Sequence, residues 1–207
     1  MTFNFTIDDN LLNKADDAAN KLSEQGAYVG AFRKAVKRTA KSGSWGIELE
    51  FEAPGSGKAN FTLWAFKEDD TPNNGPGAPL LQAAMYLLGL RTLAAESGTV
   101  EEYDAAQGKR VEKEGTVFST LCNKPIGVVF EKELYTTEKG GTAERLNLVG
   151  IYQPETKLMV TELREKKTQP VKLDRLLKSL KVKDSRKKGA AASSEPSQPS
   201  LGADAEF

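Results

Sequence analysis

The side chains able to do chemistry in this chain are carboxylates, cations and aromatic rings; imidazole is absent altogether. Without histidine there is no imidazole general base, no Ser–His or Cys–His nucleophile pair and no His-bearing metal motif. The one thiol, Cys122, excludes disulfide pairing and a cysteine-rich zinc site within the chain, since each needs at least two. It reads as a small apolar residue near a strand start. Gly55-Ser56-Gly57-Lys58 hints at a phosphate loop. Glu52 stands where that motif needs its first glycine, and Ala59 where it needs Ser or Thr, so a hairpin turn is the better reading. Glu48, Glu50 and Glu52 alternate along one strand face. Paired carboxylates hold Mg²⁺ in nucleases, but these come from one strand with no accompanying Asp or Lys motif. No catalytic residue, metal site or cofactor is assigned, and the chain reads as a non-enzyme.

What remains is binding chemistry. Arg33, Lys34, Lys37, Arg38 and Lys41 form a dense basic run just after a first strand. Lys58 and Lys67 flank a strand that carries Trp64 and Phe66, both expected on its outward face. Tyr28 and Phe32 share a face with Gly30. Cations contact phosphates and exposed rings stack on bases, which together hold a single strand regardless of its sequence. The bland alternative is core packing for the rings and a solvated surface for the cations. Trp45 falls on the apolar face of its strand and reads as core.

Positioning these groups takes strands. Residues 45–52 (WGIELEFE) alternate cleanly, with Trp45, Ile47, Leu49 and Phe51 on one face and the glutamates on the other. The turn APGSGKA leads to a partner strand over residues 60–67, with Phe61, Leu63 and Ala65 facing the core. Residues 26–33 read as a first strand. A polar stretch over about residues 8–24, capped by Asp8 or Asp9, reads as a helical extension. After a Pro- and Gly-rich loop at 68–79, a helix starts near Pro79 and stops near Gly89. Residues 96–120 are polar and carry no clear period. Strands follow at 125–135 and 144–153, joined by a hairpin around Gly140-Gly141. A basic helix spans about residues 170–183, with Leu173, Leu176, Leu177 and Leu180 on one face.

From residue 184 to 207 the composition is small, polar and Pro-containing, which predicts a disordered tail behind a single domain of residues 1–183. The order of helix, three strands, helix, two strands and helix fits a mainly β fold with some helix. Specifically, it fits an OB-fold-like, five-stranded Greek-key barrel with a helix between strands 3 and 4.

The 29 basic and 29 acidic residues cancel, but not evenly. Residues 1–188 hold all 29 Lys and Arg against 26 Asp and Glu, a net charge of +3. The acidic remainder lies in the tail, whose tip carries Asp204, Glu206 and a terminal Phe207. Such a tip docks a ring into a partner's pocket while its anions meet basic residues around it. No apolar run approaches the roughly 18 residues of a membrane span. MTFNFTIDDN shows no basic start and no long apolar stretch, so no signal peptide is expected and the cytoplasm is the expected compartment.

AYVGAFRKAV, SWGIELEFEAPGSGKANFTLWAFK, LLQAAMYLLGLR and KPIGVVFEKELY cover roughly residues 26–153. With the low-complexity, Phe-terminated end, they resemble bacterial and bacteriophage single-stranded-DNA-binding proteins. The body also resembles phage early proteins encoded among recombination and replication genes. The resemblance implies an OB-fold that coats single-stranded DNA in replication, recombination or repair, inside a bacterial host cell. It implies a tail that recruits replication or recombination proteins or regulates binding, and a homodimer as the assembly. The tip departs from the usual pattern, since it has only two acidic side chains where strongly acidic tips are the rule. Competing readings are a single-strand annealing mediator, a metal-dependent nuclease and a protein-interaction module.

Overall fold

Strand β1 (Gly26–Thr39) is shared by both halves of the sheet. Its residues 26–31 pair antiparallel with β6 (Pro125–Thr136), and its residues 31–39 pair antiparallel with β2 (Trp45–Ala53). Two hairpins extend these pairs. β2 continues into β3 (Gly57–Phe66), and β6 into β7 (Thr142–Tyr152). The computed structural model describes residues 20–104 and 109–186. Over them the fold is mainly β, an antiparallel sheet that stays open, because β3 and β7 form no ladder with each other.

Alternation decides the inside of the sheet. Ile47, Leu49 and Phe51 of β2 are fully buried, and Leu63 and Ala65 of β3 join them. Phe32, Phe51, Phe61 and Phe130 meet edge-on with ring centroids 5.3–6.4 Å apart, a favoured aromatic geometry. Helix α1 (Gly77–Leu87) lays Leu81 and Ala84 onto this core. Gly89, at φ 70°, ends it. The Leu90 amide donates to Met85 O at 2.8 Å and the Gly89 amide to Tyr86 O at 3.2 Å, the paired bonds of a Schellman stop. On the far side of β6 and β7, α2 (Val160–Arg164) leads to α3 (Val171–Ser179). Leu173, Leu176 and Leu177 of α3 close a second small core over Val129 and Tyr152.

Several expectations need correction. The sheet has eight strands among the described residues rather than five. β4 (Glu96–Asp104) and β5 (Lys109–Val117) occupy the stretch that showed no period. They form a hairpin whose ladder to the sheet is the pair Val36–Val117, and Arg38 also donates to the Glu101 carbonyl at 3.1 Å. β8 (Lys183–Ser185) runs parallel to β6, so the ordered chain continues into the segment expected to be tail. The basic helix is shorter than expected, since the chain turns extended at Leu180 to reach β6. The expected N-terminal helix does not reach Glu24. Lys21 bridges to Lys58 in an extended segment, and Leu22 is buried in the main core. Its residues 8–19 lie outside the described residues, as do 187–207 with Asp204, Glu206 and Phe207. Among the described residues, no helix is long and apolar enough to cross a membrane.

Candidate nucleic-acid interface

The outer face of β1, β2 and β3 collects the residues expected to meet phosphate, and it also collects the glutamates. β1 runs through the basic segment to Thr39, so these cations sit on a strand rather than on a loop after it. A bulge at Arg33 resets the alternation: Phe32 faces Phe51, and Lys34 faces Glu50. Arg33, Lys34 and Arg38 consequently point to the same side as Glu48, Glu50 and Glu52. Arg33 Nε reaches Glu52 at 2.7 Å, Arg38 Nε reaches Glu48 at 2.7 Å, and Lys34 Nζ reaches Glu48 at 3.5 Å. Lys58 Nζ reaches Glu50 at 3.4 Å. Burial works against ionisation of Glu48, yet Arg38 and Lys34 hold its carboxyl below the usual carboxylate value. Four cations thus face three carboxylates, and phosphate must compete with the protein's own anions there. The same pairing places each of the three glutamates against a cation.

The remaining expected residues separate. Phe32 is fully buried, where no base reaches it. The Tyr28 ring packs toward Phe130 at 6.3 Å, and its hydroxyl donates to Glu24 O at 2.8 Å. Lys37 falls on the inner face and sets its ammonium 4.2 Å from the Trp45 ring centroid, a cation–π contact. Phe66 does not point outward. β3 carries one extra residue between the pairs Gly46↔Trp64 and Trp45↔Phe66. That bulge turns Phe66 back onto Trp45, with ring centroids 4.0 Å apart and nearly parallel planes. Lys41 and Lys67 are exposed at the end of the sheet, in the β1–β2 turn and just past β3.

Of the rings expected to meet bases, Trp64 is the one left in water, 42% exposed; Tyr86 on α1 is exposed as well. Its backbone is held from two sides. Asn73 Nδ2 donates to Trp64 O at 2.7 Å, and Gly77 packs so close that a Cβ there would lie 2.2 Å from the same oxygen. Trp64 stands on the wall of a groove of about 1000 Å³ that follows the open seam between β3 and β7. Phe61, Leu63, Leu146 and Leu148 supply its apolar lining, and Asn60, Thr62, Asn73 and Asn147 its uncharged polar groups.

Its charged members are Glu131, Glu133, Arg145 and Lys183, so the groove is close to neutral. Glu133 is 3% exposed. Burial alone would raise its pKa, but hydrogen bonds from Ser185, Arg145 and Asn147, with the nearby Arg145 charge, hold it at about 2. Arg145 donates at 2.9 Å and Asn147 at 2.6 Å, and Lys183 lies 3.6 Å away. The sequence reading missed this cluster. Counting outward from the Gly140-Gly141 turn places Glu133 opposite Arg145, which was the available signal.

The second surface is electrostatic. Residues 20–159 hold 17 Lys and Arg against 18 Asp and Glu, a net charge of −1. Residues 160–186 hold nine Lys and Arg against four Asp and Glu, a net charge of +5. The body's cationic character is therefore concentrated on α2, α3 and β8. No protein-family model matches the chain, and no curated protein is significantly similar to it.

Proposed function

We propose that this protein binds single-stranded nucleic acid, single-stranded DNA first, without sequence preference and without catalysis. The observation that carries the reading is Trp64, an exposed ring with a fixed backbone on the wall of a nearly neutral groove. Bases stack on such a ring whatever their identity, at about 1–3 kcal/mol per base. Asn60 and Thr62 beside it offer uncharged donors and acceptors to base edges, whereas a phosphate finds little net positive charge inside the groove.

The strand order supports the same reading. β1, β2, β3, β6 and β7, with α1 between β3 and β6, follow the connectivity of an OB-fold, and the β4–β5 hairpin is an insertion before its fourth strand. OB-folds bind oligonucleotides on the face of their second and third strands, and Trp64 stands on β3. In this reading the protein serves replication, recombination or repair in the cytoplasm, and the Asp204–Glu206–Phe207 tip recruits partner proteins.

The test is a fluorescence-anisotropy titration with labelled oligo-dT of about 30 nucleotides beside a duplex of equal length, at low and moderate salt. Preference for the single strand, with tryptophan quenching that disappears in Trp64→Phe, is expected. Trp64→Ala weakens binding by about 5- to 150-fold, the equivalent of 1–3 kcal/mol. Equal affinity for duplex, or quenching that persists in Trp64→Phe, refutes a Trp64 stacking site.

A further inference from the structure

The groove takes bases but lacks net positive charge, so the phosphates need another surface. We infer that helix α3 and the turn after it form a phosphodiester-backbone binding surface, whose occupant is a nucleic-acid strand leaving the groove. Four observations carry this.

The first is the charge distribution: residues 160–186 hold a net +5, while the rest of the described chain is slightly negative. Counterion release makes such a concentration the natural seat of nucleic-acid affinity. The second is availability. Among the described residues Arg164, Lys166, Arg175, Lys178 and Lys181 are exposed and form no ion pair, in contrast to Arg33, Lys34 and Arg38 of β1, which the glutamates hold. The third is geometry. Lys172, Arg175 and Lys178 recur every third residue, which lines them along one side of a helix whose Leu173, Leu176 and Leu177 are packed on the body. Buried Glu162 fixes where this helix begins, accepting the Lys172 amide at 2.7 Å and the Met159 amide at 3.0 Å. The cations therefore project from a rigid base. The fourth is continuity. Lys183, on β8 just past α3, also lines the groove.

α3 has no aromatic residue, so this surface reads backbone charge and not bases. The path from groove to helix rests on the single-strand reading above; the anion surface does not.

The test uses the full chain and two probes: base-free inorganic polyphosphate of about 45 units, and labelled oligo-dT of about 40 nucleotides. Wild type and Trp64→Ala are expected to bind polyphosphate alike, and the variant Arg175→Gln/Lys178→Gln/Lys181→Gln about 100-fold more weakly near 0.1 M salt. That figure follows from three lost contacts at a slope of roughly 0.7 each. The slope of log affinity for oligo-dT against log salt should fall by about 2 in the triple variant. The charge-conserving variant Arg175→Lys/Lys178→Arg/Lys181→Arg should retain both. Unchanged polyphosphate affinity in the triple Gln variant overturns the inference, as does loss in the charge-conserving one. If wild type binds polyphosphate through this stripe but ignores oligo-dT, the single-strand reading falls and the anion surface stands.

Discussion

Glu133 offers the sharpest test of the electrostatics. Its carboxylate is buried and held by Arg145, Asn147 and Ser185 at a pKa of about 2, against an ordinary value of 4.5. The folded carboxyl titrates below the unfolded one. The stabilisation is therefore complete above pH 4.5 and is lost as pH falls toward 2. The displacement corresponds to about 3 kcal/mol at neutral pH. Arg145 and Lys183 are each more than half exposed, so solvent screening makes that an upper figure. Glu133→Gln keeps the shape and removes the charge. Urea unfolding followed by tryptophan fluorescence should show the variant less stable by about 2–3 kcal/mol at pH 7. At pH 3 most unfolded chains carry this carboxyl protonated, and the gap between wild type and variant should shrink by about 2 kcal/mol. A gap of equal size at both pH values would refute the argument. It would mean that Glu133→Gln acts through packing or lost hydrogen bonds, and that Arg145 and Asn147 do not hold a titrating carboxylate.

The other expectations concern the β1–β3 face and its rings. Glu48→Gln/Glu50→Gln/Glu52→Gln frees four cations and should raise oligo-dT affinity about tenfold or more near 0.1 M salt, read by anisotropy; unchanged affinity would mean that the strand avoids this face. Phe32→Ala should lower stability by about 3–5 kcal/mol in urea, as for a fully buried ring, and leave the affinity of the folded protein for oligo-dT within about twofold. A specific loss of affinity would return Phe32 to the interface.

The parts legible in the sequence are those where each side chain meets one environment. Trp45, Ile47, Leu49 and Phe51 alternate with glutamates because β2 has a core on one side and water on the other. The Gly140-Gly141 hairpin and the leucine face of α3 follow from equally local rules. β4 and β5 were illegible because their hairpin stands away from the core: among its described side chains only Val100 is buried, so no period of two marks it. Phe66 was misplaced because a bulge is a one-residue insertion set by the partner strand, and it reverses every orientation beyond it. The basic run looked free because its partners, Glu48, Glu50 and Glu52, are identified only once the β1–β2 register is known.

The divided pairing of β1 has a kinetic consequence. Its residues 26–31 find their β6 partners about one hundred residues later in the chain, after both early strands, α1 and the β4–β5 hairpin. At typical synthesis rates of about 5–20 residues per second, that edge stays unpaired for roughly 5–20 s after it emerges. Meanwhile β1, β2 and β3 can zip as local hairpins, bringing Phe32 to Phe51 and Phe61 but leaving Phe51 and Phe61 without Phe130. Closure of β6 on β1 is the high-contact-order event, and its loop-closure cost makes it the step expected to be slow. A nascent chain stalled before residue 125 exposes a half-built sheet with a free strand edge, which makes the arrival of β6 the step that separates folding from aggregation.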